Sequence, residues 1–123
     1  MKEGDAGFDL ACLEDFSLKP QERMLISTGL AIALPTGFVG IIKDRSGMAF
    51  KHGLTVQAGV IDSNYRGEIK VLVHNKNTET ISFSAGERIA QLLIIRHESP
   101  VIEEVSSLDQ TVRGTQGFGS SDK

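Results

Sequence analysis

The chain has 123 residues, a net charge of −3 from 13 basic and 16 acidic side chains, 40% hydrophobic and 24% charged residues, and one cysteine. A chain of this size and balance buries about two thirds of its unfolded surface in one core, which excludes an intrinsically disordered protein, a disulfide scaffold and a cysteine-rich zinc site. No two Lys or Arg residues are adjacent, which argues against nucleic acid, and no apolar run exceeds about five residues where a membrane span needs roughly 20.

The first residues, Met1-Lys2-Glu3-Gly4-Asp5, lack the apolar centre of a cleavable leader, so the expected setting is cytoplasmic, or nuclear in a eukaryote or virus. Glycine is frequent, 13 of 123, and no long pattern of period 3.6 exists. Short β-type runs alternate with turn signals instead. Residues 23–27 predict a strand, residues 30–34 a second that ends at Pro35-Thr36-Gly37, and residues 38–43 a third. The one helix is expected at 47–51, capped by Ser46 and ended by Gly53. Val60 and Ile61 enter an expected hairpin, Asp62-Ser63-Asn64 turns it, and residues 68–74 leave it as an alternating strand ending at Asn75-Lys76-Asn77. Residues 80–83 predict a strand before Ser84-Ala85-Gly86, and the longer, mostly apolar run 88–96 predicts one buried on both faces. This spacing implies an all-β sandwich, jelly roll or small barrel. Neither an internal repeat nor a linker is visible, so residues 1–123 read as one domain. Within it, 109–123 form a mobile arm, because 113–121 hold three glycines, two serines and one aromatic. Cys12, on an apolar run, is expected as a buried thiol rather than a nucleophile.

Five stretches place Gly, Asp, Ser and Arg where a plain β domain needs only turns. They are Ala6-Gly7-Phe8-Asp9-Leu10, Asp44-Arg45-Ser46-Gly47-Met48-Ala49, Gly59-Val60-Ile61-Asp62-Ser63-Asn64-Tyr65-Arg66-Gly67-Glu68, Gly86-Glu87-Arg88-Ile89-Ala90-Gln91-Leu92, and Arg113-Gly114-Thr115-Gln116-Gly117-Phe118-Gly119-Ser120-Ser121. Each is weak alone. In this order, from Ala6 to Ser121, they resemble the five motifs of the trimeric dUTPase family (deoxyuridine 5′-triphosphate nucleotidohydrolases). The resemblance implies a β-barrel or jelly roll with one short helix and a glycine-rich C-terminal arm. It further implies a homotrimer whose active sites are shared between subunits.

Several of these residues suit that chemistry on physical grounds. Arg45 offers a forked donor for phosphate oxygens, and Ser46 and Gly47 open the helix with free amides. The plain alternative is a Ser cap beside a surface Arg; the resemblance makes all three triphosphate ligands. Asp44 stands where the family usually has Pro, and its carboxylate is expected to point away from the phosphates. Backbone groups of the hairpin, including Gly59 and Ile61, would read uracil, because cytosine inverts the donor and acceptor pattern and leaves buried groups unpaired. Tyr65 resembles the aromatic that lies against deoxyribose and excludes a 2′-hydroxyl; core packing is its alternative. Asp62 resembles the general base that activates water for attack on the α-phosphorus; its alternative is an Asx-turn residue. Arg66 and Glu68 are expected in structural pairs.

Gln91, polar within an apolar run, is either a satisfied core amide or a phosphate or backbone contact at the site. Asp9 is assigned an indirect role near the metal and sugar. His52, His74 and His97 are too scattered to form a metal ligand set, so Mg²⁺ is expected through the triphosphate and water rather than through direct protein ligands. In the arm, Arg113 would meet the γ-phosphate, Phe118 would cover uracil, and Ser120 and Ser121 would donate to phosphate oxygens. Gly117 and Gly119 would permit the close approach. The implied reaction takes dUTP and water to dUMP and pyrophosphate, limiting uracil in DNA and supplying dUMP for dTMP synthesis. The rivals are a deaminase of dCTP on a related fold, a signalling protein on the same scaffold, and a plain trimeric β module.

Overall fold

The computed structural model describes residues 1–120. Nine strands and one short helix follow in chain order: β1 (Phe8–Ala11), β2 (Phe16–Leu18), β3 (Arg23–Ser27), β4 (Phe38–Asp44), α1 (Ser46–His52), β5 (Leu54–Gln57), β6 (Val60–Ile61), β7 (Lys70–Asn75), β8 (Ile81–Phe83) and β9 (Arg88–Arg96). They form three antiparallel sheets, ordered β1-β9-β4-β6, β3-β7-β5 and β2-β8. No helix among the described residues is long and apolar enough to cross a membrane.

The core lies between the inner faces of these sheets. In β7 the alternation expected from sequence puts Val71, Val73 and Asn75 inside, and β3 pairs along it from Ser27 opposite Lys70 to Arg23 opposite His74. Leu10, Leu18, Ile42, Leu54, Ile69 and Ile89 complete the filling, each fully or almost fully buried and each stabilising by about 1.5–3 kcal/mol on a transfer basis. Asn75 is the fully buried polar member. Its amide donates to the carbonyls of Leu18 and Glu79 at 3.0 and 2.9 Å, and its Oδ1 accepts from the Asn77 amide at 2.8 Å. One buried side chain thus ties β2, β7 and the turn to β8. Cys12 is buried as expected, with its thiol on the Ser84 carbonyl at 3.1 Å.

Four expectations need correction. Residues 30–34 are not a strand: among the described residues no ladder reaches them, and an apolar run without a partner strand stays irregular. Ser46 does not cap α1 but is its first helical residue; Arg45 holds the N-cap position, extended, without a side-chain cap bond. Gly53 does end the helix, in the left-handed conformation. The expected hairpin is a crossover: β6 pairs with β4 in one sheet and β7 with β3 and β5 in another. Finally, β9 is buried on both faces only at Ile89 and Ala90; Ile94 and Ile95 are exposed on the isolated protomer.

Candidate active site

Two clefts collect many of the candidate residues outside the arm, and they share none. The first, of about 630 Å³, lies where β1, the β4–α1 junction and β9 meet; Asp9, Arg45, Ser46, Gly47 and Gln91 line it. Its centre is a clamp. Asp9 Oδ1 accepts from Arg45 Nε and Oδ2 from an Nη of Arg88, both at 3.0 Å, while Arg45 also donates to the Arg88 carbonyl at 3.1 Å. Partial loss of hydration pushes the Asp9 carboxyl up. Hydrogen bonds and charge from Arg88 and Arg45 outweigh it, and the group sits below its ordinary value of 3.8. Two arginines held by one carboxylate leave excess positive charge facing the cleft. Nothing outside the helix stands within 4 Å of where a Gly47 side chain would begin, so the first turn of α1 is open to a ligand there.

The junction carrying these donors is held from two sides. Gln91 Nε2 donates to the Asp44 carbonyl at 2.8 Å, so Gln91 makes a backbone contact at the site. The Asp44 carboxylate accepts from the Val56 amide at 2.5 Å and turns away from Arg45, as expected. Sequence reasoning gave no site role to Arg88, Lys2, Lys51 or His52, which line the same cleft. Arg88 was hidden by a β-bulge. The β1–β9 register slips between Leu10 and Ala11, so Leu10 faces Ala90 but Ala11 faces Arg88. The extra residue buries both Ile89 and Ala90 and lets Arg88 and Gln91 reach the same cleft. The opposite charges of Asp9 and Arg88 in the first and fourth motifs were the one available signal.

The second cleft, of about 280 Å³, is lined by Leu25, Val60, Ile61, Asp62, Tyr65, Glu68 and Lys70. It is built by backbone. Ala58 and Gly59 both have positive φ, 55° and 99°, making a tight turn from β5 to β6. A Cβ at Gly59 would come within 2.9 Å of the Ile42 carbonyl, and the Gly59 carbonyl accepts from the Ile42 amide at 2.8 Å. After β6 the Tyr65 amide donates to the Asp62 carbonyl, closing the turn. The Tyr65 ring folds over Gly67, where a Cβ would overlap it, and its hydroxyl donates to the Glu68 carbonyl at 2.8 Å. Tyr65 is 43% exposed, so it is not a core residue. The Asp62 carboxylate is exposed and makes no hydrogen bond among the described residues; the turn uses its carbonyl, not an Asx bond. Arg66 secures the turn through the carbonyls of Ser63 and Tyr65, and Glu68 accepts from the Gly29 amide. Both are structural, though not paired with each other.

Arg45 lies four residues along the chain from Ile41, which faces Val60, so the two positions are roughly 13 Å apart along the chain at about 3.3 Å per residue. The arm joins neither cleft. Arg113 donates to the Gln116 carbonyl at 2.8 Å, the Ser120 amide donates to Gly117, and Gly117, Phe118 and Gly119 line no cleft described above. Phe118 is fully exposed. Ser121 falls outside the described residues. Among the described residues, no three His, Cys, Asp or Glu side chains come together to hold a cation.

Comparison with known proteins gives one consistent answer. The dUTPase family model matches residues 1–122. The deoxyuridine 5′-triphosphate nucleotidohydrolase of Rhodococcus erythropolis is 52% identical over 121 residues, covering 96% of this chain and 74% of that protein. The enzyme of the same name from Wolinella succinogenes is 51% identical, covering 98% and 82%. Among solved structures, the dUTPase of Staphylococcus bacteriophage 80alpha with dUpNHpp superimposes with a TM-score of 0.94 at 29% identity, over 100% of this chain and 89% of that one. A dUTPase of phage phi11 of S. aureus, solved to describe a structural Mg(II) ion, gives 0.83 at 26% identity, covering 88% of each chain.

Proposed function

The chain belongs to the dUTPase family, and from that premise we propose how this dUTP diphosphatase divides its chemistry between two half-sites. The enzyme takes dUTP and water to dUMP and pyrophosphate. In our reading the basic cleft binds the triphosphate through Arg45, Ser46 and Gly47, with Gln91 steadying the loop. The second cleft binds deoxyuridine. Backbone groups around Gly59 and Ile61 read the uracil edge, and Tyr65 lies against the sugar where a 2′-hydroxyl would collide.

Asp62 acts as general base. Its free, exposed carboxylate takes a proton from a water molecule as the water oxygen attacks the α-phosphorus. The bond from that phosphorus to the bridging oxygen breaks, and pyrophosphate leaves. The arginine clamp faces the charge that develops on the leaving group. Mg²⁺, when bound, supplies further neutralisation of the triphosphate. The donor set fits an ion held by phosphates and water, because both Asp9 oxygens already accept from arginines. Asp9 therefore acts indirectly, by holding Arg45.

Each half is incomplete alone: the basic cleft has no element that reads a base, and the second has one cation, Lys70. That complementarity carries the proposal of a homotrimer in which one protomer's basic cleft faces its neighbour's deoxyuridine cleft. Leu25 and Val60 support it, since they rim the second cleft while 56% and 64% exposed, an apolar border suited to a partner. The arm of residues 109–123 then closes over bound nucleotide. Arg113 meets the γ-phosphate, Phe118 the uracil face, and Ser120 and Ser121 the phosphate oxygens, with Gly117 and Gly119 allowing the approach.

Pyrophosphate release with Mg²⁺, compared across dUTP, UTP, dCTP and dTTP, tests the selectivity. The expected result is release from dUTP at least about 100-fold faster than from the others. Equal release from UTP would remove the role of Tyr65, and ammonia from dCTP would replace the hydrolase by a deaminase.

A further inference from the structure

We propose that Asp44 is a positioning residue for the triphosphate loop, pinning the β4–α1 junction to β5 so that Arg45, Ser46 and Gly47 hold one arrangement. The inference rests on the reading of those three residues as triphosphate donors. Asp44 is half-buried at the last position of β4. Its carboxylate does not pair with the neighbouring Arg45, whose guanidinium is taken by Asp9 and the Arg88 carbonyl. It reaches instead to the Val56 amide at 2.5 Å, on β5, the edge strand of the second sheet. The carbonyl of the same residue accepts from Gln91 on β9 at 2.8 Å. Asp44 is thus bonded to two strands in two different sheets, one residue before the first phosphate donor. A hydrogen bond to a charged acceptor is stronger than a neutral one, and a loop released by a fraction of an ångström loses alignment with its ligand.

A carboxylate at this position has two opposing effects on an anionic ligand. Its charge repels phosphate, and its anchor orders the loop that binds phosphate. The structure assigns the larger effect to the anchor, and the two separate by substitution. Asp44→Ala removes both. Asp44→Asn removes the charge but keeps an oxygen that accepts from Val56. If charge alone mattered, both variants would bind triphosphate more tightly than the parent.

The test measures affinity of the full-length protein for dUpNHpp with Mg²⁺ and, separately, for deoxyuridine, which has no phosphates. Asp44→Ala is expected to weaken dUpNHpp about 10-fold and leave deoxyuridine unchanged, while Asp44→Asn binds dUpNHpp at least as well as the parent. Val56→Pro cuts the same bond from the donor side, at a strand edge where proline is tolerated. It should reproduce the 10-fold loss, and the double variant should be no worse than either single one. It also serves as the reading if Asp44→Ala fails to fold. Unchanged or tighter dUpNHpp binding by Asp44→Ala overturns the proposal, as does equal loss of deoxyuridine or an Asp44→Asn variant as weak as Asp44→Ala. If the parent itself binds dUpNHpp no better than deoxyuridine, the triphosphate reading falls and this proposal with it. Normal discrimination by the parent with no effect of Asp44→Ala or Val56→Pro defeats the role of Asp44 alone.

Discussion

The two clefts are built by different means. The basic cleft is made of long side chains from separate strands, disciplined by an Asp9–Arg45–Arg88 clamp and by Gln91. The second is made of backbone, shaped by a positive-φ pair at Ala58 and Gly59 and by a tyrosine folded over Gly67. The difference suits the ligand proposed for each. A triphosphate is recognised by charge, which only side chains carry in quantity, and flexible cations need partners to hold them still. A uracil ring is recognised by the order of donors and acceptors along one edge, which a rigid backbone presents without side-chain entropy. The first cleft should therefore tolerate changes that preserve charge and orientation, and the second should be intolerant of an added methyl group.

The largest effect expected is at Asp62, the proposed general base in the second cleft. Asp62→Asn should lower kcat by about 10²–10⁴-fold while dUpNHpp still binds; parental turnover would remove the general-base assignment. A smaller, sharper effect is expected at Gly67. A Cβ there overlaps the Tyr65 ring, so Gly67→Ala must displace the tyrosine. The ratio of dUTP to UTP activity should fall by about 10-fold with modest change in the dUTP rate. An unchanged ratio would mean that Tyr65 does not police the sugar. The smallest effect is at Asp9. Its lowered pKa means that its stabilisation is complete above 3.8, its ordinary value, and disappears as pH falls through the folded value below that. Asp9→Asn should lower the Tm by a few degrees at most near neutrality, since the pair is solvent-exposed. The gap from the parent should close on acidification below 3.8. A gap that widens in acid would contradict the clamp.

What the sequence made legible, and what it hid, follows the same physics. β3 and β9 were read with their observed limits, because a short apolar run bounded by Arg23 and Ser27 and a nine-residue, mostly apolar run both stand between clear turn signals. Residues 30–34 looked as strand-like as either, yet a strand needs a partner, and among the described residues none reaches them. β1, β2 and β5 are three or four residues long, too short for periodicity to declare. The turn after β6 was located correctly, but sequence does not say whether the flanking strands pair with each other or with different sheets. At the site, Arg45, Ser46 and Gly47 could be given a role from their motif, whereas Arg88 stood in the fourth motif without one, because its place in the cleft depends on a one-residue bulge. The direction of the Asp44 carboxylate was foreseeable from charge alone, but its partner, Val56, was not.

The central claim is that one working site takes its basic cleft from one protomer and its deoxyuridine cleft from another. Mixing two inactive proteins tests it directly. Arg45→Ala and Asp62→Asn each disable one half-site and should be nearly inactive alone. Co-refolded in equal amounts, they should recover about a quarter of parental activity, because in a cyclic trimer one interface in four then joins an intact Arg45 to an intact Asp62. If the two clefts served the same nucleotide within one protomer, every site would still carry one lesion. The mixture would then stay as inactive as its components, contradicting the shared site.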